Sequence, residues 1–462
     1  MRATMAVWGR AAGAVVTGLA MLTSAACSGS HDAAKAAAAD STATTAKVTP
    51  KGCDADNGGL TLPNGFCASV FADGLGHPRH LVVAPNGVVY VNTWSGQYYG
   101  NDTTPAGGFL VALRDTTGDG HADVIQRFGP DAKAGGHGGT GIGLHGTSLF
   151  AEEADRIERY AMPASGIVPT DKPAVVVSGM PLGGDHPMHP FAIDSSGAMF
   201  VDMGSATNSC QVRNRTLHSP GHQPCTELAT RGGIWRFDAT KTGQHFSSSA
   251  RYATGIRNAV GVAFTPNGAL FSTQHGRDQL SGNWPEHFTN DQSAELPAEE
   301  LMHIAHDANY GWPFCYFDGS QKKLILAPEY GGDGTKTGMC DKMRPPVVYF
   351  PAHWAPDGLT FYSGSSFPSR YRGGAFIAFH GSWNRAPLPQ GGYLVAFVPF
   401  QGDTASGPYE VFADGFAGSN KQPGAAAHRP AGVAVGPDGA LYIADDAHGR
   451  VWRVTYHGAG GQ

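Results

Sequence analysis

One short pattern recurs along the chain: an apolar strand-like run, a Pro/Asp/Asn-Gly turn, and a second apolar run. Clear copies occupy residues 80–91, 189–201, 260–271, 354–362 and 430–443, with a weaker one at 141–150. Each reads as strand, tight turn, strand, because glycine supplies the positive φ that hairpin turns demand. The turn glycines on this reading are Gly87, Gly146, Gly197, Gly268, Gly358 and Gly439. Self-similarity at tens of residues, with no helical period between copies, predicts an all-β fold, a six-bladed β-propeller with long inter-strand loops. A seventh blade is admitted if one repeat has decayed. Propellers carry ligands at one end of a central channel, so the loops flanking each repeat are the search area.

Gly 65 and Pro 31 in 462 residues suit a chain of many turns, and closed all-β architectures of this length run as one unit. Charged residues make up 15% and the net charge is −6, so no basic footprint points to nucleic acid. Arg2 and Arg10 precede an apolar stretch that ends in Ser24-Ala25-Ala26-Cys27, the layout of a signal peptide over residues 1–26 and too short for a spanning helix. Small residues before Cys27 resemble a bacterial lipobox, with Ser24 where that motif prefers Leu. The expectation is a lipid anchor on Cys27 and a flexible linker over 27–52, with ordinary cleavage near Ala26 as the alternative. The propeller is expected over 53–457, in an exported protein held at the cell envelope by its lipid or free in the periplasm or medium.

Six cysteines remain, an even number that suggests disulfides in an exported chain. Short loop lengths favour local pairing: Cys53 with Cys67, Cys210 with Cys225 and Cys315 with Cys340. The widest gap between repeats, Gly268 to Gly358, is expected to hold a long excursion on the ligand face, including a short helix over 295–301.

Several polar clusters fall at repeat ends. Arg257-Asn258 is suited to clamp a carboxylate or carbonyl, though an arginine bridging two blades has the same appearance. His275-Gly276-Arg277 follows a strand where a loop can point bare carbonyls at a cation. Asp185-His186 is the minimal pair for tuning an imidazole as a base, and surface histidines in a turn are the alternative. Asp115, Thr117, Asp119 and Asp123 have the spacing of the front of a calcium loop, with Gln126 in place of the usual acidic twelfth ligand; an Asp/Gly turn is the other reading. Arg257, Arg385 and Arg429 all fall at blade ends, and three cations converging on one mouth would bind a polycarboxylate.

Taken in order, His77-Pro-Arg-His80, Asp185-His186, Gly255-Ile-Arg-Asn258, Gln274-His-Gly-Arg277, Asn309-Tyr-Gly-Trp-Pro313, His380-Gly-Ser-Trp-Asn-Arg385 and Arg429 resemble the quinoprotein glucose/sorbosone dehydrogenase family. That family consists of six-bladed propellers that use pyrroloquinoline quinone (PQQ). The resemblance, nearest to L-sorbosone dehydrogenase-type members, implies PQQ-dependent oxidation of an aldose, a sorbosone-type sugar or an aldehyde, with electrons passed to an external acceptor. It makes His186 the base that accompanies hydride transfer, with Asp185 orienting it. It gives Arg257 and Asn258 the quinone oxygens, places His275 beside them, and assigns the cofactor's Ca²⁺ to the backbone carbonyls of Gly276 and Arg277. Arg429 would pair with cofactor carboxylates, assisted by Asn384 and Arg385. Departures are a lysine missing near Asn384-Arg385, Ala431 where a second arginine is usual, and Arg277 where proline is usual. Two alternatives stand beside this reading. One is a propeller that binds a protein or glycan without catalysis. The other is a calcium-dependent lactonase-type hydrolase, for which no acidic residue is evidently placed.

Overall fold

The repeats become the inner hairpins of blades. The computed structural model describes residues 51–93, 106–131 and 139–458, all within the unit Lys47–Gln462. The expected signal peptide, Cys27 and all but the last two linker residues lie outside the described residues. Six sheets of at least four strands follow one another. Their innermost strands are Leu81–Val83, Ile142–His145, Phe191–Ile193, Val262–Phe264, Pro356–Phe361 and Pro430–Val435, and these neighbour one another in a closed ring. This is the six-bladed β-propeller expected, with two short α-helices among the described residues, Leu280–Asn283 and Asn290–Glu295.

Closure uses both ends of the chain. Phe66–Ala72 adds the outer strand of the sixth blade, pairing antiparallel with Val451–Tyr456 in the register Phe66↔Tyr456. The Phe66 ring is sunk among Phe367, Phe412 and Tyr371, with centroids 4.7, 5.1 and 5.4 Å away in edge-on contacts. Edge-on aromatic pairs add directional attraction to plain burial, so this one side chain ties the first strand to the last two blades. Cys53–Cys67, Cys210–Cys225 and Cys315–Cys340 are bonded, as the local pairing predicted.

Two expectations change. Five of the six supposed turn glycines have positive φ, but Gly358 does not. Pro356-Asp357-Gly358 lies inside the innermost strand of the fifth blade, and the turn of that hairpin comes later, between Phe361 and Ala375. Gly358 is needed for a different reason: a Cβ there would stand 2.4 Å from the carbonyl oxygen of Ala431 in the next blade. The helix expected over 295–301 instead ends at Glu295. Thr289 and Gln292 form its capping box. Pro297 then breaks it, and Glu299–His303 is a strand.

Candidate active site

An antiparallel hairpin brings the start of its first strand beside the end of its second. The residues just before each innermost strand therefore meet those just after the neighbouring one, all at one end of the channel. Arg79, Ala355 and Arg429 arrive by the first route and His275, Gly276, His380 and Gly381 by the second. Together with His186, Arg257 and Asn258 they line a cavity of about 530 Å³.

One carboxylate joins three walls of it. Asp278 Oδ2 accepts from Nη2 of Arg257 and from Nη2 of Arg215, each at 3.0 Å, and its Oδ1 accepts from the Asn384 amide at 2.8 Å. Burial works against this charge, but the two guanidinium groups outweigh it and hold the carboxyl below its ordinary range. Arg257 is itself buried and nearly spent. Nε donates to Asn208 O at 3.0 Å, Nη1 to Gly276 O at 2.9 Å, and Nη2 to Asn208 Oδ1 at 3.0 Å as well as to Asp278. One N–H on Nη1 is left.

A second belt crosses the cavity floor. Asp357 pairs with Arg79 at 3.1 Å, and Arg79 also contacts Asp446. His380 Nε2 lies 2.7 Å from Asp446 Oδ1. His275 Nε2 lies 3.1 Å from Asp357 Oδ1, an ion-pair contact outside hydrogen-bond geometry. Burial alone would lower the His275 pKa, but Asp357 and Glu299 outweigh it and raise it. Arg79, Arg215 and Arg257 are each matched by an aspartate. Arg429 is the exception among the arginines that line this cavity: Nε and Nη2 donate to the carbonyls of His380 and Gly381 at 3.0 and 2.8 Å, and among the described residues a carboxylate, Asp445, reaches only its backbone N–H, at 2.7 Å, and none its guanidinium.

His186 is the group with chemical reach. Its Nδ1 lies 3.0 Å from Ser205 O and 2.9 Å from Ser205 Oγ, whose own hydrogen goes to Thr207 O at 2.7 Å. Both neighbours act as acceptors, so Nδ1 carries the proton and Nε2 presents a lone pair with no hydrogen bond among the described residues. Burial first, then the Arg257 and His275 charges, hold its pKa well below 6.5. The ring is thus neutral in the folded protein at pH values where an unfolded histidine gains a proton. The stability this contributes is complete above pH 6.5 and is lost as pH falls below it. Thermal midpoints of the wild type and His186→Asn, compared from pH 7 to pH 5, should therefore converge on acidification. A constant gap would show that the ring is not held neutral.

The remaining expected residues divide. Asp185 flanks the cavity, with its carboxylate on Arg215 Nε at 3.0 Å and the Asn214 amide at 3.3 Å. Asn384 faces the cavity and leaves a buried Oδ1 without a partner among the described residues. Arg385 does not converge with Arg257 and Arg429: it turns away, donating to Ala352 O at 2.8 Å and Pro389 O at 3.2 Å. The Arg277 side chain also points elsewhere, to Glu329 at 2.5 Å, and ties down the excursion. In the Asp115 loop, Oδ1 accepts from the amides of Thr117 and Gly118 at 3.0 and 2.6 Å and Oδ2 from Gly120 at 2.8 Å, so that carboxylate serves its own turn. Sequence reasoning missed Arg79, Arg215, Asp278, Glu299, His353 and Asp357 as site residues, and with them every acidic group of the cavity except Asp185. Arg79 lies inside the quoted run His77-Pro-Arg-His80, and Asp278 directly follows Gln274-His-Gly-Arg277. Glu299 was hidden by its assignment to a helix, and Asp357 by its assignment to a turn.

A family profile described as TrAA12-like matches residues 60–457. A pyrroloquinoline quinone-dependent pyranose dehydrogenase of Coprinopsis cinerea is 28% identical over 240 residues, covering 43% of this chain and 30% of that protein. The chain spans less than half the length of the curated relatives it matches, 48% and 30%. Among solved structures, the holo form of the Coprinopsis cinerea pyranose dehydrogenase PQQ domain superposes with a TM-score of 0.67 at 20% identity, covering 86% of this chain and 97% of that one. A Trichoderma reesei carbohydrate-active enzyme of family AA12 gives 0.68 at 18% identity, covering 89% and 100%. These superpositions show a common fold, and the profile extends over almost the whole propeller. The chain belongs to the TrAA12-like family.

Proposed function

We propose that this protein is a PQQ-dependent dehydrogenase that oxidises a small sugar of the aldose or sorbosone type, or an aldehyde, and passes the electrons to an external acceptor. The observation that carries the reading is Arg429, a cavity cation without a carboxylate, in a site that also holds a neutral histidine with an open Nε2. A ligand bearing carboxylates and quinone oxygens suits that set. Arg429 would take a carboxylate, the remaining N–H of Arg257 and the Asn258 amide would face acceptor oxygens, and the orphaned Asn384 Oδ1 is buried beside them. Calcium belongs to the proposal through the backbone carbonyls of Gly276 and Arg277. Gly276 O gives one lone pair to Arg257 and keeps the other.

When bound, the quinone supplies a two-electron hydride acceptor. The chain supplies the rest. Nε2 of His186 takes the proton of the sugar hydroxyl as the C–H bond breaks, while Ser205 fixes the tautomer and the ring plane. Arg257, itself buried and held by Asn208, Gly276 and Asp278, keeps a donor fixed where negative charge would develop, and no reorganisation is needed during the reaction. The Arg215–Asp185 pair at the rim offers a donor and an acceptor to sugar hydroxyls. Three disulfides suit an oxidising compartment, in keeping with export and with an anchor at Cys27. Among the described residues no helix is long and apolar enough to cross a membrane.

The test is a titration of the full chain with PQQ. Arg429→Ala should weaken PQQ binding about tenfold to a hundredfold, the range for losing a charge-assisted bond. Unchanged affinity would remove Arg429 from the cofactor site, and no binding by the wild type would favour a propeller that binds other ligands.

A further inference from the structure

Arg385, expected at the first cavity, borders a second one of about 570 Å³ between the excursion and the outer edges of the fourth and fifth blades. Tyr349 and Tyr409 stand half-buried in its walls, and each is backed by other aromatics. Phe317 lies 5.2 Å behind Tyr349, while Phe350 and Trp354 lie 5.2 and 6.0 Å from Tyr409. Neither tyrosine hydroxyl has a hydrogen-bond partner among the described residues. Glu295, at the end of its helix, likewise makes no hydrogen bond or ion pair there. Arg385 spends Nε and Nη1 on backbone carbonyls and keeps Nη2.

The other acids of this cavity are consumed. Asp318 accepts from Ser320 and Gln321 at 2.6 and 2.7 Å, and Asp333 pairs with Lys336 at 3.1 Å. Among the described residues, what remains for a ligand includes two phenols, one carboxylate, one edge of a guanidinium, the His287 ring and the Gln292 amide N–H groups, set between aromatic faces. An anionic ligand is disfavoured, because the single free cation stands near an unpaired carboxylate. A purely apolar ligand would leave the two half-buried phenols without new bonds and make no use of the exposed Glu295 carboxylate. A neutral polyhydroxylated ring answers both conditions. Its C–H face lies on a tyrosine, and adjacent hydroxyls donate to Glu295 and exchange bonds with the two phenols. We propose that this second cavity is a saccharide-binding site, separate from the first and facing the other side of the loop that carries Trp383 and Asn384.

The proposal does not rest on the dehydrogenase reading, and its test uses the full chain without PQQ. Maltopentaose, cellopentaose and mannopentaose would each be titrated calorimetrically into the wild type, Glu295→Gln, Tyr349→Ala and Trp383→Ala, the last at a residue that lines the first cavity and not the second. Binding of at least one glycan is expected. Glu295→Gln should weaken it about tenfold, as losing a bond to a charged group does, with Tyr349→Ala at least as severe. Trp383→Ala should leave it unchanged. Absence of binding for all three glycans overturns the proposal. So does binding that survives Glu295→Gln at wild-type strength or that depends on Trp383.

Discussion

If the proposed function holds, His186→Ala should lower the turnover number about a thousandfold, within the range for removing a positioned general base, while PQQ affinity should stay within about twofold. The asymmetry follows from where the ring makes its bonds. Nδ1 is committed to Ser205 and contributes orientation only, whereas Nε2 is open to the cavity. Cofactor carboxylates are assigned to Arg429 on another wall, so binding should survive. The pH profile carries the same signature. Because burial and Arg257 depress the His186 pKa, the acid limb of kcat/KM in the wild type should lie below pH 6.5. His186→Gln should lose that limb with the activity, and turnover above about a tenth of wild type in His186→Ala would remove this residue from the chemistry.

Asp278→Asn should have the second-largest effect, on stability and activity together. Asp278 neutralises Arg257 and Arg215 at once and holds the Asn384 amide. Removing its charge leaves a buried guanidinium unpaired, a change that typically costs about 3–5 kcal/mol. It also releases the group that fixes Arg257, so turnover should drop by about a hundredfold, comparable to losing an aligned electrostatic donor. Asp278→Glu, which restores the charge, should recover most of the stability and less of the activity, because its longer stem misplaces Arg257. The native stability from this carboxylate is present above pH 3.8 and is lost as pH falls through its depressed folded value. A wild-type melting curve for Asp278→Asn, measured at pH 7, would show that Arg215 and Arg257 do not depend on it.

The propeller was legible because its strands and turns are local. Gly87, Gly146, Gly197, Gly268 and Gly439 take the positive φ that their hairpins require, and glycine marks such positions in sequence. Gly358 looks identical in sequence but answers to the Ala431 backbone one blade away, a contact that no local pattern encodes. The same holds in the site. His186, Arg257, Asn258 and Arg429 sit in motifs at blade ends, so the chain announces them. Asp278 was passed over because its importance lies in partners 21, 63 and 106 residues away. Asp357 was read as part of a turn, and its pairing with Arg79 appears only when the ring closes. The Arg385 side chain lies outside the cavity, and that of Arg277 also points away from it, because side-chain direction at a strand end depends on the loop that follows. Here the Pro389 and Ala352 carbonyls draw one aside and Glu329 the other.

The central claim is that this cavity loads a quinone and reduces it with a sugar. Purified protein would be incubated with PQQ and Ca²⁺, and its absorption spectrum recorded before and after addition of aldoses or sorbosone, with a dye acceptor then supplied. The account predicts a bound-quinone spectrum that shifts to its reduced form on sugar addition and returns as the dye turns over. A protein that takes up no PQQ, or that binds it and leaves the spectrum unmoved by every sugar, would contradict it.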